Sequence, residues 1–210
     1  MSYTQIDTIV FIISLYAVFS ITEWTVHKYL MHGTITEYNP LSDNHWNHHK
    51  HTLNNMDLKE NADYNSSINK YLGLYFVWSY SGIVFIVGLF EGWVLSRALS
   101  SVHIHVSLWT VVITVLAFSV YQSSFWNTVH PDIHNVRDNI TIYEGIPGWQ
   151  GWKWAFSAIM VDDQNTLYDW FKRNHTLHHL RKGIKKGNYN VTLPGADAVF
   201  GTMYVADADD

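Results

Sequence analysis

Ten of the 13 histidines in this chain fall into four short clusters: His27-(x4)-His32, His45-(x2)-His48-His49, His130-(x3)-His134 and His175-(x2)-His178-His179. Neutral imidazole is a common ligand for transition metals, and ten imidazoles exceed what one ion can use, so the count suits two adjacent ions. A tag or a histidine-rich tract would be contiguous, whereas these clusters are spread from residue 27 to residue 179. At roughly 100° per residue, positions i, i+3 and i+4 share one face of a helix. Each His-x2-His-His cluster then presents three imidazoles in one direction, and His130 and His134 also share a face. His27 and His32 diverge by about 140° on an ideal helix, so that pair sits at a frayed helix end or grips the site from two sides. His51 is a neighbour of the second cluster, and His103 and His105 read as ordinary interfacial residues.

Ligands spread this widely need helices to gather them, and the hydropathy pattern supplies three apolar spans. They run over about Ile6–Thr22, Tyr71–Phe90 and Ile104–Trp126. The second holds no charge and makes about 30 Å of helix, enough to cross a bilayer; Glu91-Gly92 is expected to end it. The first lacks the basic flank and cleavage site of a signal peptide, and its helical pattern runs on through Glu23 and Trp24 into His27. A weaker stretch, Trp149–Val161, is too short to cross; its Trp149, Trp152 and Trp154 suit an interfacial or re-entrant helix. The mean hydropathy of −0.06 averages these spans with long polar stretches. Ten Trp, 13 Tyr and ten Phe agree with aromatic belts at a bilayer interface.

Three crossings put residues 23–70 and everything after about 127 on one side, with 91–103 on the other. All four histidine clusters then share a face, and so do all Lys and Arg residues except Arg97. The positive-inside rule makes that face cytoplasmic. The expected architecture is an all-α, single-domain integral membrane bundle over residues 1–210, multi-pass, with a cytoplasmic histidine-lined di-metal cap. Four glycosylation-type sequons, at Asn65, Asn139, Asn174 and Asn190, fall on the cytoplasmic side and read as chance. The absence of cysteine excludes disulfides, Cys-ligated zinc, iron–sulfur clusters and thiolate-bound haem. A net charge of −5, with no basic run beyond Arg181–Lys186, gives nucleic-acid binding no support.

Taken together, the four clusters resemble the fatty-acid hydroxylase superfamily of membrane di-metal oxygenases, which includes fatty-acid 2-hydroxylases, sterol desaturases and carotenoid hydroxylases. The resemblance runs from Glu23-Trp24 and His27-Lys-Tyr-Leu-Met-His32-Gly33 to the tail. There, Gly187-Asn188-Tyr189-Asn190 and Pro194-Gly195-Ala196-Asp197-Ala198-Val199-Phe200-Gly201-Thr202 look like the family's closing segment, with Ala196 where that segment usually has Trp. The resemblance implies two Fe ions, with other metals such as Zn able to occupy the site, and no catalytic residue beyond the metal ligands. It implies oxidation of an unactivated C–H bond of a lipid with O2, as a hydroxylase or a desaturase. Glu23, Asp43, Asp57 and Asp132 are candidates to orient ligand imidazoles through their second nitrogen. The x3 spacing of His130 and His134 matches fatty-acid 2-hydroxylases, whereas the run around His27 looks like bacterial carotenoid hydroxylases. No fused cytochrome b5 motif is present, since Asp132 follows His130-Pro131. Electrons are therefore expected from a separate cytochrome b5-like or ferredoxin-like donor with its reductase, which the basic residues Arg181, Lys182, Lys185 and Lys186 could steer.

Two other classes compete. A non-enzymatic membrane metal-binding or transport protein would place ionisable groups inside its spans, and Tyr71–Phe90 and Ile104–Trp126 hold no acid, Lys or Arg. A soluble di-metal hydrolase would mix carboxylates among its ligands and carry no uncharged span of twenty residues.

Overall fold

The structure, a computed structural model, describes residues 3–32, 40–59, 78–136, 149–161, 166–180 and 186–205. Tyr71–Val77, Asn65, Asn139, Arg181, Lys182 and Lys185 lie outside the described residues. The described elements are helical: α1 (Tyr3–Thr25) leading into a π-helical segment (Val26–Met31), α2 (Pro40–His51), α3 (Trp78–Ser100), α4 (Leu108–Ile133), α5 (Trp149–Met160), α6 (Thr166–Leu180) and a single turn, α7 (Ala196–Val199). Among the described residues, β-type pairing is confined to an isolated bridge between Thr52 and Leu58.

Three stretches are long and apolar enough to cross a membrane: Thr4–Met31, Tyr80–Ser100 and Leu108–Ile133. Their outer faces carry exposed Ile9, Ile13, Ile86, Phe90, Ile113 and Leu116, a distribution suited to lipid rather than water. Their inner faces close around Phe11, Leu15, Phe19, Val111 and Val115. α3 packs between α1 and α4 through two glycines four residues apart. A Cβ on Gly88 would sit 2.9 Å from Phe19 and 3.0 Å from Val115, and one on Gly92 would sit 3.0 Å from Val111. Small residues at this spacing let helices approach closely where no water is available to drive association.

Two span boundaries differ from the sequence expectation. Glu91-Gly92 does not end the second span: α3 continues to Ser100. Gly92 is tolerated because it makes room for α4, and Glu91 is accommodated by the Thr22 hydroxyl, which donates to Oε1 at 2.5 Å. The third span starts at Leu108 rather than Ile104, because Ser107 caps α4 by accepting the Thr110 N–H at 3.0 Å. It then runs past Trp126 to Ile133. The α3–α4 turn is tied to the start of α1, where the Asp7 carboxylate accepts the His105 N–H at 3.1 Å. That end of the bundle lies opposite the ends of α1 and α4 that carry His27 and His130.

Beyond those latter ends, a second core of Phe125, Trp126, Val129, Ile133, Phe156, Tyr168 and Phe171 joins α4, α5 and α6. α5 presses Phe156 inward, leaves Trp154 exposed, and donates the Trp152 indole N–H to Ser124. The tail (residues 186–205) folds back over α1. Glu23 accepts the N–H groups of Val191, Thr192 and Leu193 and the side-chain donors of Thr192 and Asn190.

Candidate metal centre

The fold brings all ten clustered imidazoles into one layer and divides them into two groups. His27, His32, His45 and His178 form the first, with ligand atoms mutually within 4.8 Å; His48, His130, His134 and His175 form the second by the same measure. His49 adjoins the first group, its Nε2 lying 3.0 Å from that of His45 and 3.1 Å from that of His178. His179 adjoins the second, 3.1 Å from His175 Nε2. Each group therefore gathers five imidazoles.

One spacing rule underlies the division. Residues at i and i+4 serve the same group (His45 with His49, His130 with His134, His175 with His179), while the i+3 residue of α2 and of α6 crosses to the other. The His-x2-His-His clusters thus fan across both groups instead of serving one. α2 sends two imidazoles to the first group and His48 to the second; α6 does the reverse with His178.

His27 and His32 belong together for a different reason. On an α-helix they would diverge, but the chain is π-helical from Val26 to Met31, and the His32 N–H donates to the His27 carbonyl at 3.1 Å. The wider turn puts residue i+5 above residue i, and the rings lie 5.2 Å apart with 14° between their planes. The pair approaches from one side, neither frayed nor opposed.

The donor set fits metal ions. His45 Nε2 lies 3.0, 3.1 and 3.0 Å from the Nε2 atoms of His27, His32 and His49, and His175 Nε2 lies 3.0, 3.0 and 3.1 Å from those of His130, His134 and His179. One Nε2 carries at most one proton, so three such neighbours cannot all be hydrogen-bonded to it. Ligands about 2.1 Å from a shared cation, roughly 95° apart, would stand at these separations. Three carbonyls fix the tautomer this requires. Tyr189, Gly187 and Met56 carbonyl oxygens lie 2.6, 2.7 and 3.1 Å from Nδ1 of His27, His178 and His134. A carbonyl only accepts, so each Nδ1 carries the proton and each Nε2 turns a lone pair inward. His48 Nε2 is buried with no hydrogen-bond partner among the described residues, an atom that a cation would satisfy.

Burial holds the rings neutral, as metal ligands must be. It pushes His134 down to about 4. His32, His45, His48, His49, His175, His178 and His179 are likewise held below the ordinary imidazole value, first by burial and then by neighbouring imidazoles. Beside the first group, burial lowers Lys186 to about 8, with its ammonium 4.4 Å from the centre of the Trp46 ring.

Of the four acids that are candidates to orient imidazoles, Glu23, Asp57 and Asp132 have other partners. Glu23 clasps the tail that carries the Tyr189 carbonyl. Asp57 accepts from Asn135 at 2.6 Å and steadies the turn that presents Met56. Asp132 accepts from the Tyr168 hydroxyl, and Asp43 sits in the first turn of α2. His51 is turned away, its Nδ1 bonded to the Asn47 carbonyl at 2.8 Å. His103 and His105 are at the far end of the bundle. Asn174 and Asn190, two of the four sequons, are buried with their side chains committed to the backbone of the tail and of α1.

A cavity of about 190 Å³ opens beside the first group, between α1, α2, α3 and α4. Phe19, Val26, Met31, Ile83, Val84, Val87 and Trp126 make its wall apolar, and His27 and His45 are part of that wall. No second-group imidazole among the described residues lines it. Trp126 stands between, its ring packed edge-on against His130 at 4.2 Å. Neither the cavity nor the carbonyl orienters carry a signal in the sequence, except that Gly187 and Tyr189 fall in the tail segment that carries part of the family resemblance.

Among the described residues the protein is helical and carries two buried four-histidine groups that could hold metal ions, and its three long apolar helices are consistent with a membrane protein. Set against known protein families, curated proteins and solved structures, the chain matches none of them.

Proposed function

We propose that this protein is a membrane-bound di-iron oxygenase of the fatty-acid hydroxylase type, oxidising an unactivated C–H bond of a lipid, with a fatty-acyl lipid as the lead substrate. The observation that carries the reading is the pairing of two five-imidazole groups with an apolar cavity whose wall includes His27 and His45. Two redox-active ions held there would supply O2 activation and C–H oxidation. For hydroxylation the balance is R–H, O2, two electrons and two protons giving R–OH and water; desaturation of neighbouring carbons uses the same inputs and gives two waters. The electrons come from an external cytochrome b5-like or ferredoxin-like donor.

The protein's own residues have three tasks in this scheme. The imidazoles hold the ions without carboxylate ligands, leaving the centre strongly cationic. The Tyr189, Gly187 and Met56 carbonyls hold the His27, His178 and His134 rings in the metal-binding tautomer. Phe19, Val26, Ile83 and Val87 exclude water and set an apolar chain against the first group. With the metal layer at the Lys- and Arg-rich end of the bundle, the centre faces the cytoplasm. Lipid profiling of a host expressing the chain should reveal an oxidised lipid that disappears with His178→Ala. An unchanged profile with the intact, metal-loaded protein would count against the reading.

A further inference from the structure

The cavity surface is mainly apolar, but polar residues including Asn44, Tyr80, Gln122 and Glu91 also line it, and Glu91 is unusual for its place. Glu91 is an acid inside α3, a helix apolar enough to span a membrane, and it lines the cavity rather than a polar surface. An ionisable side chain is costly in such a setting and is retained where it has a task. Its packing is specific. The Thr22 hydroxyl donates to Oε1 at 2.5 Å, while Oε2 has no hydrogen-bond partner among the described residues. Glu23, the other acid of the cavity, is consumed by the tail, and Gln122 donates to Thr192 at 3.4 Å. Glu91 is thus the acid left to meet a bound molecule.

We infer that Thr22 and Glu91 form a polar subsite of the cavity that binds a hydroxyl group on an otherwise apolar substrate. The inference rests on the oxygenase reading for the word substrate, and on the cavity alone for the binding. A hydroxyl both donates and accepts, so it complements Glu91 whichever protonation state the carboxyl holds. A hydrocarbon end would leave the carboxyl unsatisfied. A fatty-acid head would set two acids side by side, which repel or must take up a proton. An ammonium head would have to be stripped of water to enter an apolar cavity. Thr22 lies five positions before His27, about 7 Å along the helix axis. An anchored hydroxyl therefore fixes which carbon lies beside His27 and His45, making Glu91 a determinant of position as well as of affinity.

The test is saturation binding of tritium-labelled 1-hexadecanol, hexadecane, palmitate and hexadecylamine to the full-length, metal-loaded protein in nanodiscs. The expected result is that hexadecanol binds roughly tenfold or more tighter than each of the others, as a hydrogen bond to a charged or strongly polar group provides. Glu91→Leu should abolish the advantage over hexadecane. The near-isosteric Glu91→Gln, whose amide also donates and accepts, should keep most of it and admit palmitate several-fold better. The inference is overturned if hexadecanol binds no better than hexadecane, if palmitate or hexadecylamine binds tightest, or if Glu91→Gln matches Glu91→Leu for the alcohol and leaves palmitate unchanged. The binding needs no turnover, so the two readings fail separately. Lipid oxidation without alcohol preference removes the subsite alone, and alcohol preference without O2 consumption removes the oxygenase alone.

Discussion

His49 and His179 stack face to face, their ring centroids 4.1 Å apart and their planes 27° from parallel, while their Nε2 atoms turn to opposite metal groups. The stack joins the two halves of the centre, alongside wider ring contacts such as His48–His49 and His178–His179, each at 5.8 Å. Purified protein should contain two transition-metal ions per chain. His178→Ala should lose at least one. His49→Ala should weaken the first position and His179→Ala the second, each leaving the other ion in place. His51→Ala, His103→Ala and His105→Ala should keep both. Elemental analysis with chelator competition reads all of these; one ion or fewer at full occupancy contradicts the pairing.

The metal-free protein should weaken in acid. Burial depresses the folded-state value of His134 to about 4, against about 6.5 in an unfolded chain. A depressed value means the unfolded state takes up protons first. Stability is therefore fully present above pH 6.5 and is lost as pH falls toward 4, on the order of 3 kcal/mol for this residue alone. His45, His48, His175 and His178, also lowered by burial, act in the same direction. Thermal unfolding of the metal-free protein in detergent, followed from pH 7.5 to pH 4.5, should show a falling midpoint; a flat profile would contradict neutral, buried rings.

The ten imidazoles that the fold gathers are legible in the sequence because their type and short spacings mark them out. Their division into two groups is not, since it depends on where α2 and α6 sit between α1 and α4, and 3.6-residue periodicity sees only one helix at a time. The same assumption misplaced His27 and His32, whose π-helical turn lies outside that period. Hydropathy found three spans but misjudged two boundaries. Glu91 and Gly92 look like a stop until Thr22 and Val111 are seen to receive them, and Ile104 looks like helix until Ser107 is seen to cap Thr110. Backbone carbonyls at Met56, Gly187 and Tyr189 carry no residue label, so the sequence offers only acids as candidates to orient the rings, and three of those, Glu23, Asp57 and Asp132, have other partners.

The glycines of α3 provide a test of the packing. Gly88→Val and Gly92→Val should each destabilise the bundle by about 1–3 kcal/mol, because their side chains meet Phe19, Val111 and Val115. Gly82→Ala meets nothing within 4 Å and should be neutral or stabilising by about 0.5–1 kcal/mol. Unfolding in detergent that ranks the three alike would show that α3 does not pack between α1 and α4.

The proposed three crossings would place the α3–α4 turn and the turn after α2 on opposite sides of a membrane. The chain has no cysteine of its own, so single cysteines introduced at Ser101 and Asn55, both exposed, report cleanly. An impermeant maleimide should modify Ser101→Cys from outside the cell and Asn55→Cys only after permeabilisation. Modification of both from outside would contradict the topology.

The central claim, that this polyhistidine centre oxidises lipids, is tested most directly by O2 uptake of the iron-loaded, chemically reduced protein in lipid nanodiscs, with the lipids analysed by mass spectrometry. The account predicts O2 consumption matched by a hydroxylated or desaturated product, both lost in His178→Ala. No O2 consumption above that of His178→Ala with acyl, sterol or carotenoid lipids, at two irons per chain, would contradict it.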